Sequence, residues 1–171
     1  MNQPRVPIDQ WGKDHWSTLA YIESRCVDHK GVLSNAHLRT NVGRHPLFVA
    51  RGFGSPGDGS RYPTRYKDGS GALSLIEDHD DWDCLYDMLL TNLITVRPKD
   101  KELWDVPVGS RGPIKHRGYL QTKELKVVAK LTHLGNYVAG ELREHLAKNY
   151  YQEFSPSFAP AVASMHGGRK G

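Results

Sequence analysis

Residues 77–96, with the sequence EDHDDWDCLYDMLLTNLITV, constrain the fold of this chain more than any other segment. The acidic residues at its start favour a helix N-terminus, where free backbone N–H groups stabilise negative charge. An apolar stripe at helical spacing then predicts the side of the helix that enters the core, and it comprises Trp82, Leu85, Met88 and Leu89. Asn92 tolerates a left-handed backbone and predicts the helix end, and residues 93–96 have the pattern of a strand.

The length of 171 residues predicts one domain. We place it at residues 11–149, between an extended lead-in at residues 1–10 and a flexible tail at residues 150–171. No apolar run approaches the roughly 20 residues of a membrane-spanning helix, and the N-terminus lacks the apolar core of a signal peptide. A cytoplasmic protein without a membrane partner is therefore expected, in which Cys26 and Cys84 are buried thiols and not a disulfide.

Charge is distributed unevenly along the chain, whose net charge is +4. Residues 39–75 carry six basic and two acidic side chains, and residues 93–130 carry nine basic and four acidic ones. Between them, residues 76–92 carry six acidic side chains and no basic one. The sequence therefore predicts an acidic helix flanked by two basic segments.

Periodicity and turn residues predict the elements on either side of this helix. A first helix is expected from about Gly12 to Lys30, with Gly31 as its stop. A short strand at Val32–Leu33 and a short helix at residues 35–39 follow. The first half of the chain is thus predicted to be helix, strand and helix.

Two long loops are expected in the remaining sequence. Residues 42–75 are predicted to be largely irregular, with a short strand at residues 46–50, and a second loop begins at Arg97. Residues 125–131 partly alternate and are predicted to form a strand antiparallel to residues 93–96. Thr132 then caps a last helix that ends near residue 148.

This order of elements indicates an α+β fold, a winged helix-turn-helix with a long basic loop before the third helix and an extended wing. The segments DWDCLYDMLLTNLI and KVVAKLTHLGNYVAGELREH resemble the third helix end, the wing and the last helix of MarR-type winged-helix regulators, over roughly residues 79–148. The matching motifs are Asn92-Leu93-Ile94 and Leu131-Thr132-His133-Leu134-Gly135. The opening WGKDHWST also resembles small phage and plasmid proteins. The resemblance implies a DNA-binding, regulator-like protein that is not an enzyme.

The basic loops are the expected nucleic-acid contacts. Winged-helix proteins commonly read bases with the third helix, for which Arg, Lys, Asn and Gln are suited. Here no Lys or Arg occurs between Lys67 and Arg97, and acidic side chains oppose binding to phosphate. The candidate contacts to duplex DNA are therefore Arg61, Arg65 and Lys67 before the helix, and Arg111, Lys115, Arg117 and Lys123 in the wing.

A protein-interaction role is the alternative, as an accessory or inhibitory protein of a phage or plasmid. An acidic helix between basic loops is an electrostatic pattern that can steer a charged partner. The outward residues expected to bind that partner are Asp80, Asp83, Tyr86 and Asp87. The oligomeric state is left open, and the pattern allows a dimer.

Two enzymatic or cofactor readings are weaker. His79-Asp80 resembles the His-Asp pair of HD phosphohydrolases and, with Asp81 and Asp83, offers metal-ligand chemistry. Acids at a helix start are more often caps, and the spacing of the other histidines is not that of a zinc motif. Residues 52–57 match GxGxxG, but Pro56 opposes the helix that this motif requires. The sequence thus predicts no catalytic residue, no metal ligand and no cofactor.

Overall fold

Three α-helices and five strands make up the described part of the chain, which comprises residues 3–34, 37–40, 62–99 and 126–157 of a computed structural model. The helices are α1 (Lys13–Asp28), α2 (Asp81–Leu90) and α3 (His133–Leu146). The strands are β1 (Val32–Ser34), β2 (Thr64–Lys67), β3 (Leu73–Ile76), β4 (Ile94–Pro98) and β5 (Lys126–Leu131). Single turns of 3-10 helix lie at Ile8–Gln10 and Tyr151–Glu153. The predicted α+β class is confirmed.

Helix α1 is the central element, since it contacts α2, α3 and strands of both sheets. Its apolar stripe is buried at Trp16, Leu19 and Ile22. The helix ends where Lys30 and Gly31 adopt positive φ angles of 56° and 80°, and the Gly31 N–H donates to the Arg25 carbonyl. The predicted first helix and its glycine stop are confirmed.

Strands β1, β5 and β4 form an antiparallel sheet in that order, with β5 in the centre. Ile94 pairs with Leu131, and Leu33 pairs with Val127. One face of the sheet packs against the helices and is buried at Leu33, Ile94, Val127 and Ala129. The predicted antiparallel pairing of the strand after α2 with the strand before α3 is confirmed.

Strands β2 and β3 form a separate antiparallel hairpin. Its turn is closed by Asp68, whose side chain accepts hydrogen bonds from the backbone N–H groups of Ser70 and Ala72 at 2.9 and 3.1 Å. The prediction of a largely irregular segment is therefore wrong for residues 64–75, because the Asp-Gly-Ser-Gly turn joins two paired strands. The predicted strand at residues 46–50 lies outside the described residues.

Residues 37–40 form a turn and bends, so the predicted short helix is wrong there, and residues 35 and 36 lie outside the described part. The physical reason is competition for backbone partners. The Arg39 N–H donates to the Asp81 carboxylate at 2.9 Å, and the Arg39 carbonyl accepts from the Asp81 N–H. This segment therefore bonds to the first turn of α2 in place of a helix of its own.

Both ends of the described chain contribute to the core. Val6 and Ile8 of the predicted lead-in are buried, as is Phe154 of the predicted tail. Phe154 packs edge-on against Trp16, with ring centroids 4.7 Å apart. Among the residues described, no helix has the length and apolar character needed to cross a membrane.

Helix α3 approaches the sheet closely at a glycine. Gly135 lies in its first turn, where the Gly135 N–H donates to the side chain of the N-cap residue Thr132 at 2.9 Å. A Cβ atom at position 135 would lie 1.9 Å from the Leu93 carbonyl oxygen. The absence of a side chain at Gly135 therefore sets the distance between α3 and the sheet.

We predict that Gly135→Ala destabilises the protein by about 2 kcal/mol or more, because the methyl group must displace backbone atoms. Urea denaturation followed by circular dichroism measures the change. Gly140→Ala on the same helix is the matched control, since a Cβ there meets only the far end of Arg143 at 3.7 Å. The control is expected to be neutral or stabilising by up to about 1 kcal/mol, and equal losses in both variants would contradict the steric argument.

Candidate functional site

A buried polar cluster lies where the start of α1, strand β2 and the start of α2 meet. Its members share near-complete burial, with at most 1% of each residue exposed, and they are His15, Thr64, His79, Cys84 and Asp87. Burying polar groups costs free energy unless they bond to one another. The cluster is therefore held together by its own hydrogen bonds.

Asp87 is the centre of this cluster. Its Oδ2 atom lies 2.8 Å from His15 Nε2 and 2.9 Å from His79 Nε2. Its Oδ1 atom accepts a hydrogen bond from the backbone N–H of Arg5 at 2.8 Å. One carboxylate thus joins the N-terminal segment, α1, the residue before the α2 cap and α2 itself.

Local structure aims each side chain at this point. His15 lies in the first turn of α1 and stacks on Trp11, with ring centroids 4.9 Å apart and planes 13° from parallel. His79 directly precedes Asp80, the N-cap of α2. Asp87 follows Cys84 by three residues, so both lie on the same side of α2.

Thr64 supports His79 from strand β2. The Thr64 hydroxyl donates to the His79 carbonyl at 2.9 Å and lies 2.8 Å from His79 Nδ1. It also lies 3.8 Å from Cys84 Sγ. Thr64 therefore fixes the ring orientation of His79 beside the thiol.

Burial and pairing set the ionisation of the cluster. Burial lowers the pKa of His15, against the opposing effect of the Asp87 carboxylate. Burial alone would raise the pKa of Asp87, but the hydrogen bonds from both histidines hold it below its ordinary value. Burial raises the pKa of the Cys84 thiol well above its ordinary value, and the nearby carboxylates of Asp81 and Asp87 add to the effect. Geometry and charge thus favour an ionised Asp87 beside a protonated thiol.

A second polar layer lies beside this cluster, between the start of α1, strand β2 and the start of α2. The buried Asp14 carboxylate accepts from the Arg65 side chain at 2.7 Å and from Arg39 at 3.3 Å. Burial alone would raise the pKa of Asp14, but the hydrogen bonds and charge of Arg65, with the charge of Arg39, keep it below its usual range. Arg39 also bonds to Asp81 at 3.3 Å. Together these residues line an open cleft of about 330 Å³.

The carboxylates of Asp80 and Asp83, at the start of α2, form the N-terminal cap of that helix. The Asp80 side chain accepts from the backbone N–H groups of Trp82 and Asp83, and the Asp83 side chain accepts from the Asp80 N–H. Thr40 adds a hydrogen bond to Asp80 at 2.8 Å. This is a reciprocal capping box formed by two aspartates.

The prediction that Asp80, Asp83 and Asp87 lie on an outward, partner-binding face is therefore wrong. Each is only 1% exposed, because α1, the N-terminal segment and residues 39–40 cover the helix. Tyr86, the fourth residue of that set, is half-buried. The apolar stripe of α2 is confirmed, since Trp82, Leu85 and Met88 are fully buried.

Only two of the predicted nucleic-acid contacts lie in the described part of the chain. Arg65 is exposed at its guanidinium but paired with Asp14, and Lys67 is half-buried on the same strand. The remaining predicted contacts lie outside the described residues, and they are Arg61, Arg111, Lys115, Arg117 and Lys123.

A basic surface that is not among the contacts predicted from the sequence lies on the side of the sheet facing away from the helices. We call it the outer sheet face, and its exposed members are Thr95, Arg97, Lys99, Lys126 and Lys130. Thr95 pairs with Lys130, and the Lys99 N–H donates to the Lys126 carbonyl at 3.1 Å, so these side chains share one face. In the sequence, polar and basic residues at every second position, Thr95, Arg97 and Lys99, indicate one exposed face of this strand.

No family model, curated protein or solved structure matches this chain.

We predict that Asp87→Asn destabilises the fold by roughly 3 kcal/mol, because it removes a buried charge that accepts three hydrogen bonds. Chemical denaturation measures the loss. Glu77→Gln is the control, since it removes the same charge from an exposed position just before α2, and it is expected to change stability by less than about 0.5 kcal/mol. A loss for Asp87→Asn no larger than for the control would show that the cluster does not hold the elements together.

Proposed function

We propose that this protein binds nucleic acid as a non-enzymatic, winged-helix-like module, through its outer sheet face and the basic segment that joins β4 to β5. The observation that carries the proposal is the composition of that face. It presents four exposed cations, Arg97, Lys99, Lys126 and Lys130, and no Asp or Glu occurs in β1, β4 or β5. Such a surface matches the electrostatic requirement for contact with phosphates.

The topology supports the winged-helix element of the proposal. Helix α1 precedes β1, and α2 leads directly into β4. The sheet order β1-β5-β4 places the two strands that would flank a wing side by side. The connecting segment, residues 100–125, carries five basic and four acidic side chains, and its cations Arg111, Lys115, Arg117 and Lys123 would add to the basic surface.

Most acidic residues of 76–92 are buried, so they do not present negative charge that would repel phosphates. Asp14, Asp80, Asp81, Asp83 and Asp87 are buried, whereas every described lysine and arginine is exposed or half-buried. Negative charge within residues 76–92 is therefore largely turned inward, toward backbone N–H groups, Arg39 and the two histidines. The surface that meets a partner is more basic than the sequence suggests.

Helix α2 is not suited to major-groove reading in this arrangement. It is buried on several sides, and Asp87 ties it to α1 through His15 at 2.8 Å. A recognition helix needs an exposed face with side chains that reach base edges. We therefore assign phosphate contact to the sheet and its connecting segment, with little base discrimination.

We predict that the double variant Arg97→Gln and Lys130→Gln weakens binding to duplex DNA and lowers the slope of log affinity against log salt by about 2, since each phosphate contact contributes close to 1. Fluorescence anisotropy with a labelled duplex, titrated at several salt concentrations, measures both quantities. The sequence of the duplex is expected to have little effect.

The matched control is Lys13→Gln with Lys148→Gln, which removes the same charge from exposed positions on the helical side. It is expected to leave the salt slope near that of the natural protein. The proposal fails if the two double variants behave alike, or if the natural protein shows no binding at low ionic strength, where the electrostatic contribution is greatest.

A protein contact is the second candidate, and a separate observation favours it. Leu73 and Leu75 on β3 are 69% and 60% exposed and point to the same side of the hairpin. They lie opposite Lys67 and Arg65 in the register. Exposed apolar groups with a basic border are typical of a contact surface, and a second copy of this chain is the partner to test first.

We predict that Leu73→Ser with Leu75→Ser abolishes any concentration-dependent self-association, because it removes the apolar area of the hairpin face. Sedimentation velocity over a wide concentration range measures the effect. Val27→Ser is the control, since Val27 is 79% exposed but stands alone at the end of α1. A natural protein that stays monomeric at all concentrations, or a variant that associates as well as the natural protein, would rule out this contact.

A further inference from the structure

Metal-ligand chemistry converges inside the buried cluster. One ring nitrogen of His15, one ring nitrogen of His79 and Cys84 Sγ all lie within 4.8 Å of one another. The Asp87 carboxylate oxygen is 2.8 and 2.9 Å from the Nε2 atoms of the same two histidines. We propose that His15, His79, Cys84 and Asp87 bind a single Zn²⁺ ion.

The donor set suits zinc. Two imidazoles, a thiolate and a carboxylate are ligands that Zn²⁺ takes in tetrahedral sites, with bonds of about 2.0–2.3 Å. Those bond lengths place neighbouring donors roughly 3.3–3.7 Å apart. The histidine–carboxylate distances must therefore lengthen slightly, and the thiol and the two histidine nitrogens, which lie up to 4.8 Å apart, must approach one another by up to about 1 Å.

Hydrogen-bond complementarity around His79 also points to a cation. The Thr64 hydroxyl has one proton, and it lies 2.9 Å from the His79 carbonyl, which can only accept. The Thr64 oxygen can then accept from His79 Nδ1–H at 2.8 Å. With Nδ1–H bonded to Thr64, the hydrogen bond from His79 Nε2 to Asp87 requires a second proton on the ring, and a cation between the two atoms would take the place of that proton. Zinc ligation through Nε2 satisfies both atoms.

The charges balance when zinc replaces protons. On binding, Cys84 Sγ and His79 Nε2 lose their protons to solvent, and the His15 proton moves from Nε2 to Nδ1, so that both imidazole rings remain neutral. The resulting thiolate and the Asp87 carboxylate together carry two negative charges, which offset those of Zn²⁺. A buried site that is neutral overall avoids the large cost of an unpaired buried charge.

Burial indicates a structural role for this ion. All four side chains are at most 1% exposed, so no open coordination position faces solvent. His15 lies on α1, His79 precedes α2, and Cys84 and Asp87 lie on α2. The ion would join α1 to α2 across more than 60 residues of sequence, and loading would accompany folding. Thr64, bonded to His79, would act as the group that orients this ligand.

The test uses the full-length, untagged protein, unfolded with chelator and refolded with one equivalent of Zn²⁺ or Co²⁺. We expect one metal ion per chain by elemental analysis, a higher unfolding temperature than the metal-free protein, and, for Co²⁺, visible bands with near-ultraviolet thiolate charge transfer. Cys84→Ser should abolish the charge-transfer band. Cys26→Ser is the matched control and should retain it, because Cys26 lies elsewhere on α1 with its thiol bonded to Ala129.

Zinc-edge X-ray absorption on the natural protein keeps the proposal falsifiable if Cys84→Ser does not fold. One sulfur and three nitrogen or oxygen ligands are expected. A shell without sulfur, a protein that refolds fully and holds no metal, or an unchanged cobalt spectrum in Cys84→Ser would each overturn it and leave a purely hydrogen-bonded cluster. None of these outcomes bears on DNA binding, which involves the outer sheet face.

Discussion

The Asp87 carboxylate is the interaction on which the arrangement of the helices depends. It accepts from His15 on α1, from His79 before α2 and from the Arg5 backbone. A buried charge at this depth is stable only when each of its oxygens is paired. The partners come from distant parts of the sequence, so satisfying one carboxylate fixes the N-terminal segment, α1 and α2 relative to one another. The apolar core supplies most of the burial energy, while Asp87 specifies which faces meet.

The same principle extends outward to Asp14 and Asp81. Both lie at the edge of the core, and Arg39 reaches both of them at 3.3 Å. Arg65 binds Asp14 from strand β2, which brings the hairpin against α1. Acidic residues thus bond the interior together, and the basic residues of β4 and β5 keep their charge on the surface. Separation of the two signs between interior and surface gives the outer sheet face its uniform character.

Local rules predicted the elements whose signals lie within one segment. The apolar stripe of α2, the Gly31 stop and the Thr132 cap follow from spacing and backbone geometry alone. Asn92 likewise adopts the predicted left-handed conformation, with a φ angle of 67°. The buried cluster could not be predicted this way, because Asp87 and His15 are 72 residues apart and nothing in either local sequence indicates the other. The run of acidic residues predicts that Asp87 faces solvent, but in the structure Asp87 is buried against His15 of another helix.

Because α2 is buried, this fold cannot use α2 to contact DNA. A helix that is capped by its own aspartates and tied to α1 cannot also present a free face to a groove. Strand β4 begins only four residues after α2 ends, so the fixed helix sets the position and tilt of the β4–β5 pair. Lys130 and Thr95 are neighbours in that pair. The rigid interior thereby holds the basic strands in a defined orientation, and the proposed contact through them would depend on the spacing of phosphates more than on the identity of bases.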